Sequence, residues 1–193
     1  MIKFSPLSEI IHALPVASAI KRHLPFSKII WITDEPGIEL LEKHADIDCL
    51  LGWKRHEWIR DFPYPHRTIP VIWELIQMMN RLRHNRIDTV LDLEESNVSA
   101  FLSKRIKASH RVRFDHVHLK KGWIRNAYTQ LPQIPKWAVH DIERNLSILN
   151  AFGIDEPRIE AKISIPQESQ NAADQFLQEK MPHPDGPLSS EKS

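Results

Sequence analysis

The sequence predicts an α/β fold in which one mostly parallel, doubly wound sheet is covered by helices on both faces. Three observations carry this. Short β-branched or leucine-rich runs alternate with longer stretches whose apolar residues recur at helical spacing. The short runs are apolar almost throughout, as in strands buried on both faces, rather than at every second residue. The alternation continues from the N-terminus to Gly153, which is the pattern of stacked β-α-β units.

Each element follows from local chemistry. Met1–Phe4 precede the first turn, a short segment for the central strand of such a sheet, whose edge is expected to be clipped. Ser8–His23 repeats its pattern at Ile11, Leu14 and Ala17 or Ser18 and predicts a helix. Lys28–Thr33 is a β-branched run between the breaker Pro25 and Asp34-Glu-Pro-Gly37, hence a buried strand. Ile47–Leu51 and Asp88–Leu93 read the same way, with Arg111–Phe114 a weaker fourth run. Thr68–Arg83 opens with a threonine cap and Pro70 in its first turn, then sets Ile72, Leu75, Ile76 and Met79 on one face. Ser96–Ile106 and Trp137–Phe152 complete the helices, and Gly153 is placed to end the last one in a left-handed conformation.

Composition narrows the function. With 193 residues, 41% hydrophobic content and six Trp, the chain can bury a sizeable core. A net charge of +1 gives no electrostatic case for nucleic acid. Cys49 is the sole cysteine, so neither an internal disulfide nor a multi-cysteine zinc site can form. His116 and His118 share a strand-like spacing without a third ligand nearby, so no metal is expected. No apolar run is long enough to span a bilayer, and Met1–Pro6 lacks the apolar block of a signal peptide. The expected location is the cytoplasm, compatible with peripheral contact at a membrane surface. No cofactor is called for.

Ligands in doubly wound sheets bind at the carboxyl ends of the strands. The stretches to inspect are therefore Ser5–Glu9, Trp53–His66, Glu94–Asn97 and Asp115–Arg125. Four segments in these regions and beyond carry a resemblance. Ser5-Pro-Leu-Ser-Glu-Ile-Ile-His-Ala-Leu-Pro15, Ile87–Leu93 with Ser99-Ala100, Arg113-Phe-Asp115 with Tyr128, and His140-Asp-Ile-Glu-Arg-Asn-Leu146 occur in this order. Together they resemble the lipopolysaccharide heptosyltransferases of glycosyltransferase family nine.

The resemblance implies a single Rossmann-like domain forming the N-terminal half of a GT-B glycosyltransferase. In that family this half binds the sugar acceptor, and a second domain binds a nucleotide-heptose. Heptose transfer inverts the anomeric centre and needs no bound metal. It implies Glu9 as the catalytic base, since it stands where the family has Asp. A carboxylate at a helix start is favoured by the dipole and can accept a proton; the competing reading is an ordinary acid of a first helical turn. The resemblance further assigns acceptor binding to Ser8, Lys54, Arg55, Arg60, Glu94 and Lys120, and a structural part to His12, Asp115, His140 and Arg144. The acceptor it implies is of the lipid A–Kdo type.

The sequence departs from the family at the site. Ser8 replaces Gly, Glu9 replaces Asp, and the turn pattern Gln-Gly-x-x-Lys/Arg becomes Glu94-Glu95-Ser96-Asn97-Val98. Two acids and a valine there are unfavourable for a phosphorylated, carboxylate-rich acceptor. Lys120 stands where the family often has Arg, keeping charge but losing bidentate recognition. The expected organisation is an acceptor-binding domain at 1–155, a linker and the start of a missing donor domain at 156–182, and a disordered tail at 183–193. Five glycines occur, none in a Gly-x-Gly-x-x-Gly arrangement, so no diphosphate cradle is expected and the truncated chain is expected to be inactive alone. The alternative is a non-catalytic module that binds the phosphorylated lipid core or a partner protein through its basic loops.

Overall fold

The computed structural model describes residues 1–4, 6–52, 65–115, 122–162 and 167–180. Residues Met1–Lys162 form one compact unit and Ile163–Ser193 a second. In the first unit, helix α1 spans Leu7–His23, strand β1 Ile30–Thr33, α2 Glu35–Leu41, β2 Cys49–Gly52 and α3 Pro65–His84. Strand β3 spans Thr89–Leu91, α4 Asn97–Arg105, β4 His110–Val112, α5 Gly122–Arg125 and α6 Asp141–Ser147, followed by a 3₁₀ turn at Ile148–Phe152. The described part of the second unit is the helix α7, Gln167–Lys180.

β1 pairs in parallel with β2, and β3 in parallel with β4. The N-terminal segment joins these pairs into one sheet. Ile2 N–H donates to Leu91 O at 2.9 Å, and Leu93 N–H returns to Ile2 O at 3.1 Å. On the other side Ile32 N–H donates to Met1 O at 2.9 Å and Lys3 N–H to Ile32 O at 3.1 Å. The order is thus β2-β1-(1–4)-β3-β4, with the short N-terminal segment at its centre, paired on both sides. Gln130 adds a further parallel bridge to Val112 at the outer edge.

Both faces of the sheet are packed, as the unbroken apolar runs predict. Trp31, Leu91, Leu93, Val112 and Phe114 meet Ile10, Leu14 and Ala17 of α1 and Leu146, Ile148 and Leu149 of the α6 region. On the opposite face Ile2, Phe4, Ile32 and Val90 pack with Met78 and Leu82 of α3 and Leu102 of α4. Pro15 lies inside α1, where it removes one helical hydrogen bond. Burial of Ala13, Leu14, Val16 and Ala17 around it outweighs that loss.

Local differences from the sequence expectations have identifiable causes. The run Asp34-Glu-Pro-Gly37 starts α2 with Pro36 in the first turn, a position proline favours. Gly37 is needed for packing: a Cβ there would lie 2.0 Å from Thr33 Oγ1 and 2.8 Å from Ile10 Cδ1. Gly37→Ala should destabilise the domain by about 1–3 kcal/mol through overpacking, read as a lowered midpoint in urea unfolding. The third helix begins at Pro65, ahead of Thr68. Ser96, the first residue of the expected helix, is the cap of α4 in the structure, its hydroxyl accepting from Ser99 N–H at 3.1 Å. In place of the expected helix Trp137–Phe152, α6 starts only at Asp141 and gives way after Ser147 to the 3₁₀ turn, which stops at Gly153 with φ of +72°, the left-handed stop expected of glycine. The tail assigned to 183–193 lies outside the described residues.

Candidate functional site

At the carboxyl end of the central segment the chain turns into α1, and Glu9 stands in that helix's first turn. Its carboxylate is half-exposed, with the side chain 49% accessible, and takes the buried Lys3 ammonium at 2.5 Å. Lys3 is held in place by Leu93 O at 3.1 Å and has Glu94 Oε2 at 3.8 Å. Glu94 Oε2 also accepts the Phe4 N–H at 3.1 Å. Glu9 and Glu94, 85 positions apart in numbering, are thus gathered around one cation at the sheet edge. Ser8 is exposed on the same helical turn.

The turn that carries Glu94 is built from beneath by Asp92, which is fully buried. Asp92 Oδ1 accepts Glu94 N–H at 3.1 Å and Glu95 N–H at 3.0 Å, and Tyr128 Oη–H donates to Asp92 Oδ2. Burial pushes the Asp92 carboxyl up, against the hydrogen bonds from Tyr128, Glu95 and Ser99. Burial, together with the charge of Asp92, also raises the Tyr128 hydroxyl, so the phenol keeps its proton.

Glu95 adopts a φ of +58°, a conformation that costs a side-chain-bearing residue roughly 1–2 kcal/mol. This is the position where the motif resemblance implies glycine. Here the conformation is sustained by side chains: Arg113 donates to Glu95 O at 2.5 Å and to Ser96 O at 3.3 Å, and Arg144 pairs with Glu95 Oε2 at 2.5 Å. The two arginines lie over aromatic rings, Arg113 at 5.6 Å from the Tyr128 centroid and Arg144 at 5.9 Å from that of Phe114, adding cation–π attraction.

The remaining candidates fall in two groups. His12 Nδ1 lies 3.6 Å from Asp141 Oδ2, and His12 O accepts from Asn145 at 3.1 Å, linking α1 to α6. His140 is exposed just before α6 and gives its backbone N–H to Glu143 Oε2 at 3.1 Å. Asp115 pairs with Arg125 at 3.2 Å. Lys54, Arg55, Arg60 and Lys120 lie outside the described residues, as do His116 and His118. Among the described residues no group of three metal-ligating side chains is assembled, and no helix is long and apolar enough to cross a membrane.

Sequence reasoning did not single out Lys3 or Asp92. Asp92 was visible as an acid inside the run Val90-Leu-Asp-Leu93, a place where a carboxylate needs buried partners. Lys3 gave no comparable signal.

Comparisons with known proteins place the chain in a family. A family model described as glycosyltransferase family 9 (heptosyltransferase) matches residues 75–186, more than half of the chain. Lipopolysaccharide heptosyltransferase 3 of Escherichia coli is 24% identical over 155 residues, covering 80% of this chain and 43% of that protein. A solved glycosyltransferase family 9 structure from Veillonella parvula superposes with a TM-score of 0.73 at 17% identity, covering 92% of this chain and 48% of the other. The Escherichia coli heptosyltransferase WaaC with ADP-2-deoxy-2-fluoro heptose gives a TM-score of 0.69 at 19% identity, covering 83% and 50%. The chain therefore spans about half the length of these relatives, aligning with part of a GT-B heptosyltransferase. On the family match, with the doubly wound fold as its frame, the chain belongs to glycosyltransferase family 9, the heptosyltransferases.

Proposed function

We propose that this domain is the acceptor-binding half of an inverting heptosyl transfer. It would accept a lipid A–Kdo type acceptor carried at a membrane surface, while a donor-binding domain presents the nucleotide-heptose. The observation that carries the reading is the half-exposed Glu9 carboxylate at the start of α1, beside the carboxyl ends of the strands, where this fold class binds ligands. Glu9 takes the proton of the acceptor hydroxyl. The freed oxygen attacks the anomeric carbon as the nucleoside diphosphate leaves from the opposite face, inverting that centre. Lys3, 2.5 Å from Glu9 and 3.8 Å from Glu94, can move its charge toward Glu94 as Glu9 is neutralised. Lys54, Arg55, Arg60 and Lys120 supply cations for acceptor phosphates.

The 193-residue chain alone should bind acceptor but release little nucleoside diphosphate from a nucleotide-heptose. Adding a donor-binding domain should raise turnover. Appreciable transfer by the chain alone would overturn this division of labour, and failure to bind a Kdo-containing acceptor in calorimetry would overturn the reading itself. A second reading, a non-catalytic module for the phosphorylated lipid core, draws on the close Lys3–Glu9 pair, which occupies the carboxylate needed for proton transfer. It predicts acceptor binding without turnover even when the donor domain is supplied.

A further inference from the structure

Away from the strand ends, α3 and α4 leave a groove between their outer faces that no part of the transfer reading uses. Its larger section has a volume of about 370 Å³, with Met79, Ile87 and Ile106 in its walls and Arg83, Arg86 and Lys107 around them. A second section of about 150 Å³ shares Met79 and Arg83 and adds Ile76, Phe101 and Arg105. Among the described residues no carboxylate lines either section. Trp73 continues the same stripe of α3 and is 60% exposed, with Ile76 at 45% and Phe101 at 37%. From Trp73 to Arg83 the stripe runs about 15 Å along the helix.

Cations at the C-terminal ends of α3 and α4 have an ordinary explanation in the helix dipole. That explanation does not cover the exposed tryptophan, isoleucine and phenylalanine that precede them on the same face. Arg105 lies over the Phe101 ring at 4.6 Å, so apolar and cationic groups share one surface. An amphipathic face of this kind, with an aromatic residue beside arginines, suits the boundary between lipid headgroups and acyl chains. A second copy of the chain is a poor occupant, because a face-to-face dimer would set Arg83, Arg86, Arg105 and Lys107 of both copies against each other.

We infer that the α3–α4 face is a docking surface for an anionic phospholipid bilayer, with Trp73, Ile76 and Phe101 entering the interface and the four cations contacting lipid phosphates. This deepens the proposal of a membrane-borne acceptor and rests on it for its purpose. The test uses the 193-residue protein with vesicles of phosphatidylcholine, with and without phosphatidylglycerol, and contains neither donor nor acceptor. Its failure is therefore distinguishable from failure of the transfer reading. Sedimentation should capture the protein on the anionic vesicles, with binding falling as salt is raised. Arg83→Gln combined with Arg105→Gln should weaken partition about thirtyfold, roughly fivefold per cation. Trp73→Ala should weaken it as well, and circular dichroism of each variant checks that the fold is kept. Equal binding to neutral vesicles, or unchanged partition in folded variants, would overturn the inference. So would displacement by inorganic phosphate at matched ionic strength, which would mark a small-anion site. A dimer seen by light scattering and abolished by Trp73→Ala would assign the face to a second copy instead.

Discussion

Asp92→Ala should destabilise the first unit by about 3–5 kcal/mol, the largest stability effect expected from any polar residue of the site. The carboxylate is fully buried and accepts Glu94 N–H, Glu95 N–H and the Tyr128 hydroxyl. Alanine would leave these donors without their acceptor, and each buried unsatisfied group costs about 1–3 kcal/mol. It would also release Glu95 from its positive φ, so the turn carrying Glu94 should rearrange. Asp92→Asn separates the contributions. Its amide oxygen can still accept from the two backbone groups, and Tyr128 can accept from its nitrogen, so the loss should be the smaller of the two. The pH dependence has a definite sign. Burial raises the folded-state carboxyl, so the folded protein holds this proton more tightly than the unfolded chain. The contribution is full below the ordinary carboxylate value and declines as pH rises through the raised one. Asparagine has no such proton, so the stability gap between wild type and Asp92→Asn should narrow as pH rises from the ordinary carboxylate value toward neutrality. Urea unfolding across that range measures it; a gap that widens would contradict the buried, raised carboxyl.

Glu95 offers a milder counterpart that ties stability to family history. Its left-handed backbone stands where the motif resemblance implies glycine, and Arg113 and Arg144 hold it there. Glu95→Gly should relieve the conformational cost of roughly 1–2 kcal/mol while losing the Arg144 pair, leaving stability near the wild type. Glu95→Val keeps the cost and loses the pair, so it should be clearly less stable in the same urea assay.

How far the fold was legible depended on whether the deciding interactions were local. The apolar runs marked β1, β2 and β3 because a strand buried on both faces must be apolar along its length. Gly153 marked a helix end through its own backbone chemistry. The N-terminal segment was harder. Four residues look too short for a central strand, and their pairing partners, Ile32 and Leu91, come from distant parts of the chain. α2 was hidden because proline and glycine in sequence read as a break, whereas Pro36 starts that helix and Gly37 lets it approach Thr33. At the site, the acids Glu9 and Glu94 stood out from the motif, but Lys3 did not. Its significance arises from Leu93 and Glu94, 90 or more positions away in the chain, and a lysine beside apolar residues otherwise reads as a solvated strand end.

Glu9→Gln should lower turnover by 10²- to 10⁴-fold, about 3–5 kcal/mol in barrier height, when assayed with a donor-binding domain present. Glutamine keeps the size of the side chain and can still hydrogen-bond an acceptor hydroxyl, but it cannot take the proton. Acceptor affinity should therefore change little, which places the effect in the chemical step rather than in binding. Lys3 sharpens the interpretation. In wild type its ammonium pairs with Glu9 at 2.5 Å and has Glu94 within 3.8 Å, so removing the Glu9 charge leaves the buried cation a second carboxylate rather than none. The fold should survive, and a stability loss above about 1 kcal/mol, the usual limit for a half-exposed ion pair, would mean that Glu9 acts mainly as a structural partner of Lys3. Glu9→Asp distinguishes position from identity. The shorter acid restores the residue of the family pattern but shifts the carboxylate by roughly 1 Å, enough to change the rate by up to about a hundredfold. If the glutamate has been accommodated by Ser8 and the Glu94 turn, the aspartate variant will be slower than wild type yet faster than the glutamine variant. If instead all three turn over equally, Glu9 is no base, and the module that binds without catalysing becomes the better account of this surface.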